Sequence, residues 1–165
     1  MRQVPGPIRD PRADELLQRY RAAYGGAELP VPVEAIAEDL LGLAVEERDL
    51  EGVSGLLYPG ERQVYLNAAD SPARRRFTLA HEVGHWVCQV QEGRTVPVFC
   101  RAEEVGVGEG KALEREANVF AAELLMPELA VRASAADSSA AARFGVSGEA
   151  MRWRLYNFGL GDRPS

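Results

Sequence analysis

Both histidines of this chain lie in one pentapeptide, His81-Glu82-Val83-Gly84-His85, and no other feature constrains the fold as tightly. An H-E-x-x-H run brings its imidazoles to one face only on a helix, where residues four apart stand one above the other. Both rings then reach a single zinc ion, and Glu82 projects beside them toward the water that will attack. This is the ligand pair and general base of a zinc peptidase. No third histidine exists, so the remaining protein ligand must be an acidic residue or a cysteine.

A second helix supplies the candidates. The spacing predicts a helix from about Lys111 to Met126, ended by Pro127. At 100° per residue, Leu113, Ala117, Phe120, Ala121, Leu124 and Leu125 form its apolar arc, and Glu114 falls between the directions of Ala121 and Leu125. A carboxylate aimed at a core is costly unless it is paired or metal-bound, which makes Glu114 the candidate third ligand, the alternative being a surface residue on a slightly rotated helix. Glu116 and Glu123 fall outside the arc and are expected to face solvent. Asn118, one turn beyond Glu114, is placed to hydrogen-bond a zinc ligand.

At 165 residues the chain fits one domain with a single core and no disulfide support. Its formal charge of -6 and pI near 5.1 argue against a general nucleic-acid or anionic-membrane binder. The first twenty residues lack the apolar core of a signal peptide and no stretch has the length of a membrane span, so a cytoplasmic protein is expected. Cys88 and Cys100 read as free thiols of a reducing compartment. Cys88 follows His81 by two helical turns, too far along to join the same ligand shell, and should pack as a small apolar residue.

Residues 1–12, with Pro5, Gly6, Pro7 and Pro11, are expected to form a mobile leader, 13–160 the folded domain and 161–165 a tail. Amphipathic helices are predicted over Ala13–Tyr24 and from Val33 to Leu41, then a strand over Leu43–Arg48. Val53–Tyr58 and Gln63–Asn67 read as a hairpin around Pro59-Gly60-Glu61. Thr95–Arg101 is a further candidate strand. The expected fold class is α+β, a small and mostly antiparallel sheet of about three or four strands packed on the motif helix.

Ser71 and Pro72 should open that helix, which runs to about Gln91, with Gly84 marking the close approach of another backbone. Arg74-Arg75-Arg76 reads mainly as a solvated face. Two C-terminal helices within 139–160, around Gly145-Val146-Ser147, have helix-turn-helix spacing. Arg154, however, falls where the second helix should bury an apolar residue, and the positive excess there is small, which favours a structural pair over a DNA reader.

With both helices in view, the sequence resembles the ImmA/IrrE family of metallopeptidases. The likeness is carried by the run from Arg76 to His85 and by that from Glu114 to Pro127, and extends from about Ala22 to Leu160. It implies a compact gluzincin-like domain with Zn2+ on His81, His85 and Glu114 and with Glu82 as base. It further implies site-specific cleavage of a helix-turn-helix repressor protein, releasing stress-response or mobile-element genes. The alternative is a regulatory protein that keeps the zinc fold but binds a repressor or DNA without cutting. Tyr58, Tyr65 and Tyr156 are open candidates for stabilising the oxyanion. The strand edge from Gln63 to Leu66 is a candidate for pairing with substrate backbone.

Overall fold

A computed structural model describes residues 9–26, 29–94, 99–100 and 112–165. The expectations for 1–8, 95–98 and 101–111 lie outside these. Helix α1 spans Pro11–Tyr24, two residues earlier than the apolar spacing suggested. Asp10 caps it, its carboxylate accepting from the Arg12 N–H at 3.0 Å, and Pro11 takes the first-turn position where no amide hydrogen is needed. Residues 9–12 therefore belong to the folded domain rather than to a leader. Helix α2, Val33–Ala35, widens into a π-helical turn over Ile36–Leu40.

Strands β1 (Ala44–Arg48), β2 (Gly55–Tyr58), β3 (Gln63–Asn67) and β4 (Phe99–Cys100) form one sheet in the order β1-β3-β2-β4. The expected hairpin is β2–β3, antiparallel with Gly55 opposite Leu66, and its turn over Pro59–Glu61 closes through Arg62 in the left-handed region. Strand β4 pairs antiparallel with β2, whereas β1 runs parallel to β3. Strand β3 is consequently hydrogen-bonded on both sides. Its backbone groups are already used, so the expectation that Gln63–Leu66 offers an edge to substrate is overturned.

Helix α3, Pro72–His85, begins as expected: the Ser71 hydroxyl accepts from the Arg74 N–H at 3.2 Å and Pro72 occupies the first turn. Beyond His85 it continues as a π-helical turn, Trp86–Val90, with the Gln91 N–H bonded to the Trp86 carbonyl at 3.0 Å. Helix α4 spans Ala112–Leu125 and lies along α3. Leu57, Val64 and Leu66 from the sheet, Leu79, Ala80 and Val83 from α3, and Phe120, Leu124 and Leu125 from α4 share one buried core. A fully buried Leu or Phe contributes about 1.5–3 kcal/mol, so this layer dominates the fold.

The chain closes with α5 (Glu128–Ala133), α6 (Ala140–Phe144) and α7 (Gly148–Asn157), the last capped by the Ser147 hydroxyl. Phe144, Val146, Ala150 and Met151 are buried in the common core, so the C-terminal pair is part of the domain. The arginine run is not a solvated face throughout. Arg76 is engaged with three backbone carbonyls, those of Val31, Phe144 and Gly145, and ties α3 to the C-terminal helices. Arg75 holds the carbonyls of Ala68 and Asp70 and pairs with Glu47.

Two expectations about charge are corrected. Glu123 is 2 % exposed, not solvated, because Arg154 of α7 meets it at 3.1 Å in the interior. Arg154 itself does enter the position that looked apolar, and its Nε donates to the Met126 carbonyl at 3.0 Å. Glu116 is half-buried and pairs with Arg94 and Arg12. No helix among the described residues is long and apolar enough to cross a membrane.

Candidate metal centre

The α3–α4 contact builds the site. A Cβ on Gly84 would stand 3.0 Å from the Ala117 carbonyl oxygen and 3.1 Å from the Ala117 Cα, so only glycine lets the two backbones approach this closely. That approach sets Glu114, one turn before Ala117, and Asn118, the residue after it, against the imidazoles of α3. His81, His85, Glu82 and Glu114 are all buried, Glu114 to 3 % exposure.

One ligand atom from each of His81, His85 and Glu114 lies within 4.8 Å of the others. The Glu114 Oε2 is 2.7 Å from His81 Nε2 and 3.4 Å from His85 Nε2, and the two Nε2 atoms are 3.0 Å apart. Both Nδ1 atoms face amide oxygens, His81 to Asn118 Oδ1 at 2.7 Å and His85 to Gln89 Oε1 at 2.6 Å. An amide oxygen can only accept, so each ring carries its hydrogen on Nδ1 and turns Nε2 toward the cluster. Two imidazole nitrogens and a carboxylate on converging vectors, each ring braced from behind, form a donor set suited to a divalent metal.

Electrostatics follow from the same contacts. Burial alone would raise the Glu114 carboxyl, but the His81 and His85 rings, which can donate from Nε2 only in their doubly protonated form, outweigh it and hold its pKa at about 2. Burial pushes His85 the other way, toward the neutral form, yet the carboxylates of Glu114 and Glu82 keep its pKa above the ordinary value. Glu114 is thus held as a carboxylate against the two imidazoles.

Glu82 sits on the same turn of α3, over strand β2. A Cβ on Gly55 would meet its Oε1 at 3.3 Å and the Thr78 methyl at 2.7 Å, so the absence of a side chain at Gly55 makes room for the carboxylate. Side chains alternate along a strand, so the Gly55 and Leu57 side of β2 faces α3 while Tyr58 and its neighbour Tyr65 project from the opposite face. These two tyrosines point away from Glu82. They pack edge-on at 5.9 Å, and Arg48 covers Tyr65 at 4.4 Å. Tyr156 packs edge-on against Trp153 on α7.

Cys88 is fully buried and its thiol lies 3.5 Å from Asp10 Oδ2; burial pushes its pKa far up, as suits an inert packing residue. Cys100 lies in β4, opposite Gly55. Gln89 was not singled out from the sequence. Its position four residues after His85, on the same helical face, was the available signal.

Comparison with known proteins identifies the family. A peptidase family model described as the IrrE N-terminal-like domain matches residues 38–156. The chain belongs to this family. The radiation response metalloprotease IrrE of Deinococcus radiodurans is 28% identical over 140 residues, covering 85% of this chain and 39% of that protein. The chain thus spans about two fifths of the length of that relative. A Mycobacterium tuberculosis transcriptional regulator shares the fold, with a TM-score of 0.62 at 21% identity over 89% of this chain and 47% of the other. Membership implies a metal, and the His81, His85 and Glu114 cluster offers the donors for one.

Proposed function

We propose that this chain is a zinc-dependent endopeptidase that cuts a helix-turn-helix repressor at a defined site and thereby derepresses stress-response or mobile-element genes. The observation that carries the reading is Glu82, buried beside two imidazoles and a carboxylate whose ligand atoms converge. A purely structural metal site has no use for an additional buried carboxylate at this place. His81, His85 and Glu114 would hold the zinc, and Asn118 would fix the His81 ring from behind.

Bound zinc supplies Lewis acidity, polarising the scissile carbonyl and making water acidic enough to ionise near neutral pH. Glu82 takes the proton of the attacking water and hands it to the departing amine. Glu82 is fully buried beside Gly55 and Thr78, away from bulk solvent. Among the described residues, the terminal strand beside Gly55 is β4, and an extended segment of substrate would be expected along that side of the sheet. A folded helix cannot enter such a cleft, so the cut should fall in a loop or frayed helix end. The burial of Arg154 also removes one of the few positive charges of α7, which supports protein rather than DNA as the partner.

The test incubates the zinc-loaded protein with a helix-turn-helix repressor of the same organism, with the isolated peptide around the cut and with unfolded casein, with and without chelator. One dominant chelator-sensitive cut in the repressor, seen by mass spectrometry, is the expected result. Fast degradation of casein would replace this reading by a housekeeping protease. Tight repressor binding without fragments would replace it by the non-cleaving regulator.

A further inference from the structure

We infer that Gln89 is a positioning residue that couples the tautomer of His85 to the placement of Glu114. Its carboxamide is bonded at both ends. Oε1 accepts from His85 Nδ1 at 2.6 Å, while Nε2 donates one hydrogen to the Leu113 carbonyl at 2.9 Å and the other to Glu116 Oε1 at 3.2 Å. Leu113 immediately precedes Glu114, so one side chain grips the ring of one ligand and the backbone leading into another. The residue is fully buried, and reversing its amide would aim two donors at His85 and the oxygen at two acceptors.

Glu116 enforces this orientation. It is an acceptor only, and Arg94 and Arg12 hold its carboxylate in place. With the amide so fixed, His85 must carry its hydrogen on Nδ1 and keep Nε2 for the metal. Without Gln89, Glu114 offers an acceptor for the His85 hydrogen, its Oε1 and Oε2 lying 3.2 and 3.4 Å from Nε2. The hydrogen would then move to Nε2 and block the ligand position.

The inference rests on the zinc reading for its purpose, but its central claim is testable without metal. Long-range proton–nitrogen correlation spectra of the metal-free protein, recorded near pH 9, report the His85 tautomer. The wild type is expected to be Nδ1–H and Gln89→Met to be mainly Nε2–H, with Gln89→Glu retaining Nδ1–H because it keeps an acceptor. In competition with a chromophoric chelator, Gln89→Met should bind zinc about 10–100-fold more weakly. Gln89→Glu, lacking donors for α4, should still lose about tenfold. Circular dichroism confirms that each variant is folded. An unchanged tautomer in Gln89→Met would overturn the inference, and full zinc affinity in Gln89→Glu would overturn the coupling to α4. A wild type that binds no zinc would refute the metal reading, while the tautomer comparison would still decide the role of Gln89.

Discussion

Glu123 of α4 and Arg154 of α7 form an ion pair at 3.1 Å with both side chains 3 % exposed. Burial pushes the Glu123 pKa up and the Arg154 pKa down despite their mutual attraction, so for both partners desolvation outweighs the pairing. Breaking one side strands the other charge, at a cost of about 3–5 kcal/mol, whereas replacing both by apolar groups is often neutral. Arg154→Met should therefore lower stability by about that amount. Adding Glu123→Leu should restore most of it. Urea unfolding of the two singles and the double variant measures this; a double no better than Arg154→Met would contradict it.

Binding and chemistry should separate at Glu82. Glu82→Gln keeps the shape of the side chain but cannot accept a proton at neutral pH, so it should retain one zinc per chain and lose repressor cleavage. Wild-type cleavage rates in metal-loaded Glu82→Gln would remove Glu82 from the mechanism.

Glu114 and Glu116 lie on one helix but have unlike roles. Glu114→Ala should lose zinc sharply, while Glu116→Ala should still reach one zinc per chain at saturating metal. Elemental analysis after gel filtration distinguishes the two, and the opposite ranking would make Glu116 the ligand.

Acid should loosen the start of α1. Asp10 is desolvated, which alone would raise its pKa, but its bonds to the Arg12 side chain and amide outweigh this and leave it below the ordinary value of 3.8. A carboxyl depressed in the folded state contributes stability above its unfolded pKa and loses it as pH falls through the folded one. Asp10→Asn keeps a capping oxygen but gives up the charge, so it should cost about 1 kcal/mol at pH 7. The cost should shrink as the pH is lowered from 7 to 2. Urea unfolding at both pH values checks the sign.

Much of the centre was legible because its partners are local or its helix phase is strict. His81 and His85 declared themselves by spacing, Glu114 by its direction among Ala121 and Leu125, and Gly84 by its cost within a helix. Glu123 was misread for the opposite reason. Its counter-charge comes from Arg154, on a helix 31 residues away, and the phase of α4 alone carries no information about that helix. Gln89 had only its spacing from His85 to mark it, since a glutamine on a helix looks like surface until the Leu113 carbonyl of another helix is beside it. In the sheet, the strands themselves were readable from composition, but the parallel pairing of β1 that makes β3 central depends on long-range placement.

The glycine contact between α3 and α4 has a further consequence for motion. The Gly84 site leaves no slack against Ala117, and Phe120 stands 3.2 Å from the same point, so the ligand helices cannot part without opening the core around Phe120 and Leu124. Release of the metal ligands and global unfolding become one event rather than two. Amide hydrogens along the facing turns of α3 and α4 should accordingly exchange with solvent as slowly as any in the protein, at a rate set by whole-molecule stability. The centre is in this sense a rigid tool, and adaptation to a substrate must come from the chain that approaches it.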